Sequence, residues 1–82
     1  QIFFSLASYN AGFGHVKDAQ RLARKLGLRD DKWFNHVEKA MLLLQQKAYY
    51  KKARFGYVRG SEPVNYVRDI HQRYLSYIRI TQ

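Results

Sequence analysis

The sequence predicts an all-α fold, and three observations carry that reading. No stretch alternates apolar and polar residues with period two for long, as a half-buried strand would. Two segments instead repeat apolar residues at helical spacing: Val16, Ala19, Leu22, Ala23 and Leu26, then Val64, Val67, Ile70, Tyr74 and Ile78. Glycines and the single proline, Pro63, punctuate the chain and cut it into helical pieces.

The first piece, Ile2 to Tyr9, reads as the end of a buried helix because Phe3, Leu6 and Ala7 share a face. Asn10 to Gly14 reads as a turn. A helix then opens at His15 and carries the first stripe to Leu26, with Gly27 where a left-handed C-terminal cap belongs. Asp30 or Asp31 can cap a third helix bearing Trp33, Val37, Ala40, Met41 and Leu44. Lys47 to Arg54 is a basic short helix with Tyr49 and Tyr50 embedded, and Phe55 to Gly60 is irregular. Ser61 is a good N-cap for the last helix. Glu62 and Pro63 suit its first turn, the one by charge and the other by its fixed φ.

At 82 residues the chain makes one domain at most, with a radius of gyration of about 12 Å if compact. Such a domain buries only about 60–65% of its unfolded surface, so its core is thin. Its apolar content of 46% excludes a disordered tail, and the lack of cysteine excludes a disulfide framework. Apolar runs such as Met41 to Leu44 fall far short of the roughly 20 residues that span a bilayer. The chain opens on Gln1 without a basic leader, which predicts a piece of a larger or processed chain. The net charge of +9 predicts an anionic partner. Nucleic acid, anionic lipid headgroups and an acidic polymer all qualify by charge alone.

Common catalytic constellations are poorly represented. His15, His36 and His71 are not spaced as a pair at i+3 or i+4, and without cysteine they predict no zinc site and no metal. No local signature surrounds Ser5, Ser8, Ser61 or Ser76. Glu38 lies among lysines as a solvated ion-pairing residue, and Glu62 reads as a helix N-terminal charge. A glycosidase-type acid needs an apolar pocket that keeps it protonated, and neither glutamate has that setting. A helix-turn-helix is the alternative. Ala19 to Gly27 would form its first helix and turn, and Arg29 to Val37 its recognition helix. Against it, Asp30 and Asp31 would repel phosphate where base contacts are made.

The sharpest signal is Ala7-Ser8-Tyr9-Asn10-Ala11-Gly12-Phe13-Gly14-His15-Val16. A helix ends, a glycine-spaced turn brings backbone close, and a new helix begins with its amides pointing back. Tyr9 and Asn10 at such a turn offer a hydroxyl, an amide acceptor and amide donors, the set that grips a sugar. A second reading stands beside it: Asn10 caps its own helix and Tyr9 packs.

This segment resembles the A-x-Y-N-x-G-x-G-x-V motif of the lytic transglycosylases with a lysozyme-like catalytic domain. The resemblance continues in order through Asp31-Lys32-Trp33, Tyr49-Tyr50-Lys51-Lys52, Phe55-Gly56-Tyr57-x-Arg59-Gly60 and Glu62-x-x-x-Tyr66-Val67. It covers nearly the whole chain and is closest to a membrane-bound subgroup. It implies residues 1–82 as the C-terminal part of a lysozyme-like catalytic domain. The implied partner is peptidoglycan rather than nucleic acid, in the bacterial periplasm and cell envelope, with the parent outer-membrane associated. The implied reaction cleaves the MurNAc–GlcNAc bond without water and leaves a 1,6-anhydromuramoyl end, with no cofactor. The family's general-acid glutamate lies in a Glu-Ser motif upstream of the Tyr-Asn motif, so this segment has no catalytic residue and is expected to be inactive alone. The resemblance assigns substrate binding to Tyr9, Asn10, Gly12 and Tyr66. Any membrane anchor is expected in other parts of the parent. Upstream helices are also expected to cover Phe3, Phe4 and Leu6, so that the isolated segment tends to self-associate.

Overall fold

A computed structural model describes residues 1–82. Its regular elements are all helices: α1 (Ile2–Ala11), α2 (Phe13–Lys25), α3 (Glu38–Leu43), α4 (Lys47–Tyr50) and α5 (Ser61–Thr81). α1 packs against both α5 and α2, and α3 bridges α2 and α5. The enclosed core holds Ala7, Val16, Ala19, Ala23, Trp33, Val37, Ala40, Met41, Leu44, Val58, Val64 and Val67. Four of these are alanines, which let the helix axes approach closely at little side-chain entropy cost.

α1 starts where the Gln1 side chain accepts from the N–H groups of Phe3 and Phe4, at 2.9 and 3.1 Å. It runs through Ala11, past the end expected at Tyr9, and only Gly12 separates it from α2. Gly12 has φ 98 and ψ 144, a combination essentially reserved for glycine. α2 therefore opens at Phe13 rather than His15. Its far end matches expectation. Leu28 N–H donates to Ala23 O, Gly27 N–H donates to Arg24 O, and Gly27 takes φ 76. Together these make a Schellman cap.

The next segment departs from the expected helix. Phe34 takes ψ 130 and Asn35 takes φ 67, so Trp33 to Val37 is a kinked turn and regular α3 begins at Glu38. Asp30 and Asp31 cap nothing; they pair with Arg24 and Arg29. Glu38 instead pins the kink, accepting from Asn35 N–H at 3.1 Å, and no side chain caps α3. The kink turns Trp33 into the core and lays Phe34 against Phe3, with ring centroids 4.8 Å apart. His71 stands edge-on to Phe3 and tilted against Phe34, and Trp33 covers Phe4 at 5.8 Å. Phe3, Phe4 and Leu6 are thus half-buried within the chain itself, without the additional helices expected to cover them.

The irregular segment before α5 is held from two sides. Asp18, buried on α2, accepts from Arg54 N–H at 3.1 Å, from Phe55 N–H at 2.8 Å and from the Arg21 guanidinium. Burial pushes its carboxyl pKa upward, but these donors outweigh that and hold it below the ordinary 3.8. Gly60, not Ser61, stands at the N-cap of α5, and Ser61 N–H donates to Gln45 Oε1 at 2.9 Å. A Cβ on Gly60 would lie 2.0 Å from Met41 O, so α5 meets the α3 backbone directly.

α5 is 21 residues long, or about 31 Å. Its first half is anchored by Pro63, Val64 and Val67. Its second half projects: Tyr74 and Ile80 are 59% and 83% exposed although they sit on an amphipathic helix. The radius of gyration is accordingly 13.2 Å, above the compact expectation of about 12 Å. Leu26 also leaves the core, because the cap at Gly27 ends α2 beside solvent. No helix is long and apolar enough to cross a membrane.

Candidate functional site: the Gly12 turn and its tyrosine pair

The antiparallel contact between α1 and α5 decides what stands beside the Gly12 turn. Tyr9 lies in the last turn of α1 and Tyr66 in the second turn of α5. Their rings are near parallel, 24° apart in plane, with centroids 6.2 Å apart. Tyr9 is 83% exposed, so its ring is presented to solvent rather than packed. Asn10 is exposed as well, and its side chain makes no hydrogen bond within the chain. The cap of α1 is supplied instead by Gly12 N–H donating to Ser8 O at 2.8 Å. Of the two readings of Asn10, self-capping is therefore not realised.

Gly12 sets the geometry of this corner. Its positive φ makes the one-residue break possible, and a Cβ there would meet nothing within 4 Å. The need for glycine is conformational, not steric. Gly14 differs: a Cβ there would come within 2.8 Å of the Phe55 ring. His15 stands edge-on to that ring at 6.4 Å, with its Nδ1 buried and unpartnered.

The remaining polar candidates are structural. His36 Nδ1 accepts from Arg29 N–H at 3.0 Å. Glu38 holds Asn35 and faces Arg68 at 3.4 Å. Glu62 is exposed, 3.7 Å from Arg59. Glu38 is less solvated than expected, its side chain only 13% exposed, but it is engaged by Asn35 and Arg68, and neither glutamate lines a cavity. The helix-turn-helix alternative loses its recognition helix, because Phe34 and Asn35 break the Arg29 to Val37 segment.

A second surface feature escaped the sequence reading. A groove runs along α2, between it and the Ala48–Arg54 segment, with cavities of about 520 and 340 Å³ that share Arg21 and Arg54. Lys17, Arg21 and Lys25 recur every fourth residue and so form one row on α2. That spacing was the available signal.

No protein-family model matches the chain. It is 51% identical over 98% of its length to a membrane-bound lytic murein transglycosylase F of Marinobacter nauticus. The Shewanella loihica and Photobacterium profundum proteins of the same name are 49% and 46% identical over 90% and 100% of the chain. The chain is homologous over nearly its whole length to one region of the lytic murein transglycosylases F. It spans about one sixth of the length of these relatives, or 16% of the Marinobacter protein. The aligned region includes the Tyr9 to Gly14 turn and Tyr66, since the Photobacterium match covers all 82 residues.

Proposed function

We propose that these residues form the glycan-binding wall of a peptidoglycan-cleaving transglycosylase, within the C-terminal part of a lysozyme-like catalytic domain. The observation that carries the reading is the solvent-facing Tyr9–Tyr66 pair beside a turn whose Asn10 amide is unspent. Aromatic faces receive the apolar faces of sugar rings. A free carboxamide serves their hydroxyl and acetamido groups as donor and acceptor. In this reading Tyr9 and Tyr66 line the cleft, Asn10 holds a sugar substituent, and Gly12 sets the approach of α1 to α2. The names of the relatives, membrane-bound lytic murein transglycosylases, support murein as substrate and the bacterial periplasm or cell envelope as the place of action.

The chemistry proposed for the whole protein is acid–base throughout. A glutamic acid protonates the glycosidic oxygen as the C1–O bond breaks. The resulting carboxylate then takes the proton of the C6 hydroxyl as that oxygen closes onto C1. The 1,6-anhydro ring forms, and no water is consumed. Glu38 is committed to Asn35 and Arg68, and Glu62 is solvated. We therefore assign the acid to a glutamate outside these 82 residues.

Asn10→Asp in the intact protein tests the wall. Asp removes the amide donor and adds a negative charge near the acid. Loss of a donor felt in the transition state costs about 1–3 kcal/mol, or roughly ten- to a hundredfold in turnover. A like charge also raises the glutamate pKa, which moves the pH–rate profile upward. Release of 1,6-anhydromuropeptides from purified sacculi, followed by mass spectrometry, reads both effects. Unchanged turnover and an unchanged profile would make the turn purely structural.

A further inference from the structure

Asp18 is the one carboxylate buried in the chain, and the acid–base chemistry proposed above leaves it no part. Its side chain is 1% exposed on α2. It is the sole acceptor of the Arg54 and Phe55 N–H groups, 36 and 37 residues further on. Taking a carboxylate out of water is costly, and here most of its hydrogen bonds serve a segment distant in sequence. What that segment delivers to α2 is the Phe55 ring. Gly14 precedes Asp18 by four residues, so the two share a face of the helix. Phe55 lies so close on Gly14 that a Cβ there would come within 2.8 Å of its ring. The same ring stands edge-on to His15 at 6.4 Å. Asp18 thus fixes the backbone of Phe55, and Gly14 receives its ring.

The first turn of α2 needs such a hold. Its N-cap is Gly12, and no side chain caps it, so its leading N–H groups are not answered from within the helix. Its first internal bond, Val16 N–H to Gly12 O, is 3.4 Å long, beyond the usual range of about 2.7–3.2 Å. Gly14 in the same turn weakens the helix further. A turn held so poorly from within frays unless something lies against it, and Gly12 then no longer fixes the angle between α1 and α2. Asn10 and Tyr9 stand two and three residues before Gly12 and lose their station with it. Resting on the reading of the Gly12 turn as a glycan wall, we propose that Asp18 is a positioning residue for that wall. Through Phe55 it clamps the uncapped first turn of α2, and so holds Asn10 and Tyr9 in place across Gly12.

The test measures kcat and KM of the intact protein on soluble glycan strands, at a temperature where circular dichroism shows every variant folded. Asp18→Asn removes the charged acceptor, and Phe55→Ala removes the ring but keeps its N–H. Each is expected to lower kcat about tenfold with little change in KM, because Asn10 is still present but held less firmly. The double variant is expected to lose no more than the worse single one, since both break the same clamp. Hydrogen exchange at the Val16 amide gives a second reading. Fraying of a helix end is a local opening, which a global loss of stability leaves unchanged, and it is expected to quicken about fivefold in both variants. If Asp18→Asn does not fold, Gly14→Ala replaces it, since its Cβ pushes the Phe55 ring away while Asp18 stays. Turnover of the single variants within about twofold of wild type, losses that add in the double variant, or unchanged Val16 exchange would each overturn the clamp. Asn10→Asp separates this from the reading beneath it. Unchanged turnover there brings down wall and clamp together, whereas a loss there without one in Asp18→Asn and Phe55→Ala brings down the clamp alone.

Discussion

Replacing Gly60 by alanine should destabilise the fold more than any other single methyl added at a glycine. Its backbone is ordinary helical, with φ −60 and ψ −24, so conformation is not at stake. Space is. The new Cβ would lie 2.0 Å from Met41 O, 2.7 Å from Met41 C and 3.2 Å from Leu42 N. Relief to 3.0 Å needs a shift of at least 1.0 Å (3.0 − 2.0) between two backbones. Met41, Pro63, Val64 and Val67, all fully buried, would lose their fit. Overpacking of this kind costs about 3 kcal/mol. For 82 residues the unfolding entropy is about 0.17 kcal/mol/K, so each kcal/mol lowers Tm by ~6 °C and the substitution by ~18 °C. Gly56→Ala is the control. It has φ 71 with open space around it, and the left-handed penalty alone is about 1–2 kcal/mol. Thermal melts followed by circular dichroism compare the two. A Gly60→Ala melt no lower than that of Gly56→Ala would refute the direct approach of α5 to the α3 backbone.

Asp18→Asn should cost about 2 kcal/mol at neutral pH, because three donors lose a charged acceptor. The folded pKa of Asp18 is lowered, so its contribution is full above 3.8 and is lost as pH falls through the folded value. Denaturant melts of the two forms should therefore converge in strong acid, and a constant gap down the acid range would contradict this. Gly12→Ala, forced into a glycine-only region, should lose about 1–3 kcal/mol and reduce turnover by tilting Tyr9 away from Tyr66; retained turnover in sacculus digestion would count against the wall. Tyr66→Ala removes the ring that faces Tyr9 and should lower turnover in the same digestion, whereas Tyr66→Phe, which keeps that face, should retain most of it; equal turnover of the two variants would count against the ring. Glu38→Gln and Glu62→Gln should keep turnover within about twofold; a collapse of either in the same digestion would identify the acid within this chain.

Much of this architecture was legible in the residues, and its failures have physical causes. The stripe of α2 and its Gly27 cap were readable because local propensity and burial agree there. The Tyr9-Asn10 corner was readable because Gly12 has few other uses at such a break. The kink at Phe34 and Asn35 was not, since an apolar stripe continues through Trp33 and Val37 whether or not the backbone between them is helical. What broke the helix is tertiary: Trp33 and Phe34 cover Phe4 and Phe3, on a helix distant in sequence. Asp30 and Asp31 looked like caps until Arg24 and Arg29, both earlier in the chain, claimed them. Asp18 passed unnoticed because its partners are backbone amides 36 and 37 residues away, which no residue type announces. Tyr74 kept the helical period of α5 but found nothing to pack against.

The uneven burial of α5 divides one continuous helix into two thermodynamic bodies. Up to Val67 each turn is tied to the core, and its amides should exchange with solvent only on global unfolding. From Gln72 onward nearly every side chain is exposed, and an isolated helix of about ten residues is marginal in water. That distal half is helical because the proximal half supplies its nucleus, so it needs only propagation. Its amides should exchange in a gradient that quickens toward Gln82, one residue at a time, rather than as a unit. Anything that later rests on Tyr77 or Ile80 would find most of the ordering entropy already spent at the other end of the helix.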